Sequence, residues 1–157
     1  MKRYRDRGFT LIELLIVIMI IALLSGMMLL AAGSSVDGSE ATKVINDLRD
    51  VKAAAMMYYM DESNWPAGFP IAEELIENIE QFMEGRSSGF LHANYDGVYV
   101  IDGLVENRSF IGLKLKGKNA MEGVKKKLAA NATSCGIYQD AGATSYTDGA
   151  IVYMSLK

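Results

Sequence analysis

This chain of 157 residues is poor in the side chains that carry acid–base, redox or metal chemistry, with one histidine and one cysteine. The lone Cys135 forms no internal disulfide, so packing alone must hold the fold, and a small buried apolar role is expected for it. His92 alone leaves Ser–His and Cys–His chemistry without support. The sequence contains no P-loop, no G-x-S-x-G and no histidine-containing metal spacing. Asp140 and Asp148 fit no calcium-loop pattern, which leaves ordinary loop aspartates as the expectation. No enzymatic activity, cofactor or metal is therefore expected. Proline is scarce as well: Pro66 and Pro70 share one turn-rich stretch, "DESNWPAGFP", where with Gly68 they end a helix.

Charge is nearly absent from one long run. Phe9 to Ala32 is 24 residues with a single charged side chain, Glu13. At about 1.5 Å per residue, a helix of that length crosses a bilayer core of about 30 Å. A carboxylate there costs roughly 2.5–3.5 kcal/mol on insertion scales, which points to a partnered, functional group. A hydrated interfacial charge is the plainer alternative, because Glu13 lies near the start of the run. Lys2, Arg3, Arg5 and Arg7 against Asp6 give residues 1–8 a charge of +3, so residues 9–157 carry −6 of the total −3. The basic start keeps residues 1–8 on the cytoplasmic side and sends the rest across. The acidic remainder argues against a general nucleic-acid binder. Ala31-Ala32-Gly33 would pass as a secretory cleavage site, but the apolar run is too long for an ordinary signal peptide.

The stretch from Lys2 to Gly8, then Phe9-Thr10-Leu11-Ile12-Glu13 and the apolar run, resembles the prepilin-type leader of type IV pilins and pseudopilins. The resemblance implies that a membrane-embedded prepilin peptidase cuts between Gly8 and Phe9 and methylates the new N-terminus. It also implies an assembly role for Phe9 and Glu13. Glycine before the cut lets the backbone approach a protease closely. Phe9 and Glu13 are four apart on one helix face, so the carboxylate can pair with its own N-terminal ammonium or with a neighbouring subunit's. The resemblance favours the neighbour. The sequence departs from many pilins in two ways: Ala22 and Leu30 stand where these carry a helix-breaking glycine and proline, and no C-terminal disulfide is possible.

Beyond "GSSVDGSE" the period is amphipathic: Ala41, Val44, Ile45, Leu48, Val51, Ala55 and Tyr58 share a face, with Lys43, Asp47, Arg49 and Asp50 elsewhere around the helix. One helix from Phe9 to about Met60 is expected, bent or loosened around Gly33–Gly38. "MMYYM" (56–60) reads as core and rim. A second helix is expected over about 71–84, with Leu75, Ile76, Ile79, Phe82 and Met83 inward and Glu73, Glu74, Glu77, Glu80 and Glu84 forming a solvated face. Strands are expected at 97–102, 108–116, 135–139 and 150–157, with a weaker candidate at 90–94. A loop helix is expected over 119–132, with Met121, Val124, Leu128 and Ala132 inward. The lysines at 114, 116, 118 and 125–127 read as a solvated face, with docking to the acidic helix of the next subunit as the alternative.

The expected fold is α+β and pilin-like: a long N-terminal helix, its outer half packed on an antiparallel sheet of about four strands, with a short loop helix. The expected organisation is a leader peptide (1–8), a transmembrane and assembly half-helix (9–33) and a globular domain (34–157). The resemblance implies a single-pass precursor in the inner membrane and then an extracellular or periplasmic filament. Its expected partners are copies of itself, prepilin peptidase, an inner-membrane assembly platform and, before assembly, membrane lipid. A pseudopilin of a type II secretion-type system and a membrane-anchored monomeric binding module are the alternatives. So is a protein released by cleavage after Gly33.

Overall fold

The computed structural model describes residues 9–65, 73–83, 85, 89–105, 108–140 and 143–156. Helix α1 runs uninterrupted from Leu11 to Glu62 and stays helical through Gly33–Gly38. The chain divides into two compact units, one up to Val36 and one from Asp37 to Lys157. In the first, every described side chain is exposed, and none of the most apolar stretch is buried within the chain.

The second unit contains the rest of α1, α2 (Glu73–Glu80), α3 (Phe90–Asn94), β1 (Tyr95–Val105) and β2 (Arg108–Leu115). A 3₁₀ turn (Gly117–Ala120), α4 (Glu122–Cys135), β3 (Ile137–Tyr138) and β4 (Ile151–Ser155) complete it. The strands form one antiparallel sheet in the order β1-β2-β4-β3. Alternation along the strands sends Val98, Val100, Ile111, Leu113, Val152, Met154 and Ile137 into one core. There they meet Ala41, Val44, Leu48, Val51 and Ala55 of α1 and Val124, Leu128 and Ala132 of α4, all at helical spacing. The long helix, the four-stranded sheet and the loop helix are the expected α+β plan. Both outer edges of the sheet are poor templates: the pairing of β1 with β2 shifts register at Tyr95/Gly97 and at Ile101/Val105, and β3 is two residues long.

Four expectations fail, each for a tertiary reason. Residues 90–94 form α3 rather than a strand. Glu80 accepts hydrogen bonds from the Gly89 and Leu91 backbone N–H groups, each at 2.6 Å, and so caps this short helix from outside it. For the same reason Glu80 is only 5% exposed and does not belong to a solvated face, whereas Glu77 is exposed. Side chains of Glu73, Glu74 and Leu75 and all of Glu84 lie outside the described residues. Asp47, three residues from Val44 and four from Val51, falls on the buried face of α1. There it accepts a hydrogen bond of 2.6 Å from the Tyr95 hydroxyl. Finally, Met121 is the N-cap of α4 and is 55% exposed, because the 3₁₀ turn occupies the segment expected to open that helix.

Of the aromatic–methionine cluster, Met56 packs against the core while Met57 and Met60 are exposed, and Tyr59 stacks on Trp65 at 4.4 Å. Cys135, the last residue of α4, is half-buried against the core.

Candidate functional site

The first turn of α1 is where the unusual carboxylate sits. Phe9 is non-helical and 85% exposed, and the helix begins two residues later. Thr10 precedes the helix. Its hydroxyl accepts a hydrogen bond from the Glu13 N–H at 3.3 Å, satisfying one of the donors that a helix N-terminus leaves open. Glu13 reciprocates: one carboxylate oxygen, Oε2, accepts from the Thr10 N–H at 2.8 Å and from the Thr10 hydroxyl at 2.7 Å. Threonine followed three residues later by glutamate is a capping box, and the negative charge also sits favourably at the positive end of the helix.

The structure therefore brings Glu13 to Thr10, not to Phe9. Gly8, the residue expected before the scissile bond, lies outside the described residues. Glu13 Oε1 has no hydrogen-bond partner among the described residues, so the cap leaves half of the carboxylate for another donor. Thr10 is the residue missing from the sequence-based site, although its signal, Thr10-x-x-Glu13, was present. Every apolar side chain from Leu11 to Leu29 is exposed, which makes this turn the polar head of an otherwise apolar rod.

The acidic residues of the C-terminal loop do not converge. Asp148 pairs with Lys125 of α4, whose ammonium lies 3.5 Å from the carboxylate and 3.5 Å from the Asp148 carbonyl. Asp140 instead accepts from the Thr144 N–H at 3.0 Å. The Tyr146 hydroxyl donates to the Gly149 carbonyl at 2.7 Å, and burial, helped by nearby Asp148, pushes this phenol up to about 12. Lys126 pairs with Glu122 one turn away at 2.8 Å. No group of three His, Cys, Asp or Glu side chains poised for a metal occurs among the described residues.

Residues 3–29 match the family model of the prokaryotic N-terminal methylation motif. Over 66 residues the chain is 33% identical to the type II secretion system core protein G of Klebsiella michiganensis, covering 42% of this chain and 46% of that protein. It is 40% identical over 67 residues to the fimbrial protein EcpC of Eikenella corrodens, covering 43% and 44% respectively. It is also 30% identical over 77 residues to the core protein G of Pseudomonas aeruginosa, covering 49% and 54%. These matches span about half the length of the curated relatives. No solved structure is a significant match. A methylation motif thus opens a capped apolar helix, a pilin-like α+β domain follows it, and the similarity runs to type II secretion core proteins and a fimbrial protein.

Proposed function

We propose that the chain is a structural subunit of a type IV pilus-like filament. It is held in the cytoplasmic membrane as a precursor, cut between Gly8 and Phe9, methylated on Phe9 and assembled through its apolar helix. One observation carries this reading: a helix whose described apolar side chains between Leu11 and Leu29 are all exposed, with a single carboxylate at its first turn. None of the described apolar side chains of that surface is buried. Lipid covers it before assembly, and the helices of other copies cover it afterwards. Glu13 then serves two ends. Oε2 closes the helix, while Oε1 remains for the Phe9 ammonium of a neighbouring subunit. On this reading prepilin peptidase and an inner-membrane assembly platform are its transient partners, and the finished filament is extracellular or periplasmic. Residues 1–8 are the leader, 9–33 the assembly half-helix and 34–157 the globular domain.

Mass spectrometry of the mature N-terminus tests this directly. A methylated Phe9 is expected. An intact Met1 would make the chain a signal-anchored monomer, and a terminus at Ser34 would make it a secreted protein.

A second reading, a pseudopilin of a type II secretion-type system, is favoured by the likeness to core protein G in four of the relatives. Loss of protein export on deletion, with surface pili unaffected, would select it. Loss of surface pili with export intact would select the pilus.

A further inference from the structure

A cleft of about 370 Å³ opens beside the first turns of α1 within the second unit. Its wall carries Glu40 and Lys43 of α1 and, from the segment after β2, Lys116, Lys118 and Asn119. Gly117, at φ 57° in the left-handed region, makes the turn that sets Lys116 and Lys118 on either side of it. Three lysines and one glutamate therefore line one cleft in a unit, Asp37–Lys157, that carries a net charge of −5. Lys116 is held loosely, 4.0 Å from Asp96. Lys43 and Lys118 have no ion-pair partner among the described residues.

A second feature is independent of these charges. Asn119 is 5% exposed, yet its side-chain amide makes no hydrogen bond among the described residues. Among the described residues no fully enclosed side-chain nitrogen or oxygen lacks a partner, so what remains accessible of this amide opens on the cleft it lines. A concave wall with three cations and a nearly buried, unused amide suits a compact oxyanion.

We propose that this cleft binds the phosphate of an anionic lipid headgroup on the translocated face of the membrane, before assembly. The proposal rests on the membrane-anchored precursor described above. Glu40 and Lys43 follow the end of the apolar run at Ala32 by eight and eleven residues of chain. The cleft is thereby tethered near a dense layer of headgroup phosphates, and a tether of that length makes the effective phosphate concentration high. An acidic unit is otherwise repelled by an anionic surface, so the basic cleft also selects which side of the unit turns to the bilayer. Each ammonium near such a surface favours contact by roughly fivefold, falling off within a Debye length. Lys43, Lys116 and Lys118, with the Asn119 amide as a neutral donor, surround the phosphate, and Glu40 lies at the same wall as the opposing charge.

The test uses the full-length precursor reconstituted into phosphatidylcholine vesicles with or without phosphatidylglycerol. The readout is the acetylation rate of each lysine by mass spectrometry. Phosphatidylglycerol is expected to slow acetylation of Lys43 and Lys118 severalfold, and high salt to reverse this. Lys126, exposed and paired with Glu122, serves as the reference and stays unchanged. Lys43→Gln and, separately, Asn119→Ala should each weaken the protection of Lys118 by at least twofold. Equal rates in the two vesicles, with the protein still resisting carbonate extraction, overturn the site but leave the anchored precursor standing. Protein extracted by carbonate overturns the anchored precursor, and this proposal with it. Protection that follows protein density rather than lipid assigns the cleft to an acidic face of a second copy. Equal protection by inorganic phosphate in pure phosphatidylcholine makes it a free-anion site. Either of these last results replaces the lipid.

Discussion

The N-terminal apolar unit and the domain from Asp37 onward treat a carboxylate in opposite ways. Glu13 is on the surface and draws its donors from Thr10, three residues away. Glu80 and Asp47 are buried and draw theirs from Gly89, Leu91 and Tyr95, between nine and 48 residues away. The first arrangement buries nothing within the chain and leaves an oxygen for a partner. The second exists only once the domain has folded, and it ties α2 to the start of α3 and α1 to the start of β1. A charge that serves assembly must stay accessible, whereas a charge that serves folding must be enclosed.

Substitutions break this comparison at either end. Glu13→Val should have the largest effect. On the proposed pairing, cleavage proceeds, because the scissile bond is untouched, but each subunit then brings an unpartnered Phe9 ammonium into the apolar filament core. Leaving one charge of a buried pair alone costs about 3–5 kcal/mol. Trimmed protein should accumulate in membranes, and sheared surface filaments should be lost. Wild-type filament yield would return Glu13 to a hydrated interfacial charge.

Glu80→Ala acts on folding instead. It strands the Gly89 and Leu91 N–H groups and should cost about 3 kcal/mol, seen as a melting temperature lower by about 10 °C in detergent solution. Glu80→Gln, which keeps one acceptor oxygen, should lose about half as much. An unchanged melting temperature for Glu80→Ala would mean that α3 needs no cap from outside.

Tyr146→Phe is smaller and depends on pH. The phenol is raised to about 12 in the folded chain against about 10 unfolded. Its contribution is thus fully present below pH 10 and is lost as pH rises towards 12. The variant should lose about 1 kcal/mol at neutral pH, for the bond to Gly149. Its stability should then fall less steeply than wild type between pH 10 and 12 in urea titrations. Parallel curves would exclude this phenol as the titrating group.

Thr10→Ala should have the smallest effect, about 1 kcal/mol confined to the first turn. Amide exchange at residues 11–13 in micelles should quicken about fivefold, while exchange in the second unit is unchanged. A change spread through both units would show that the cap is not a local device.

The same contrast explains what could be read without the structure. Periodicity placed α1 to within two residues at each end, and alternation found the long strands β1 and β2, because both signals repeat along the chain. The capping box, Thr10-x-x-Glu13, also stands at fixed spacing in one turn, but pairing Glu13 with Phe9 by helical spacing passed it over. Residues 90–94 were not legible, because apolar Phe90 and Leu91 suit a strand until the Glu80 carboxylate accepts hydrogen bonds from the Gly89 and Leu91 N–H groups. Asp47 failed similarly: its helical phase pointed inward and its charge pointed outward, and only Tyr95 resolves the conflict. Met121 was displaced by a 3₁₀ turn beginning at Gly117, which a helical periodicity does not register.

The sheet edges have a consequence for the proposed filament, in which copies of this domain would crowd together. A long, regular edge strand invites the same strand of the next molecule, and such pairing propagates without limit. Here one edge loses its register twice along β1, with Asp96 placed near Lys114 and Lys116, and the other ends in the two residues of β3. Copies of this domain crowded side by side therefore lack a template for β-stacking, so in the proposed filament the sheet edges would not be what joins one subunit to the next.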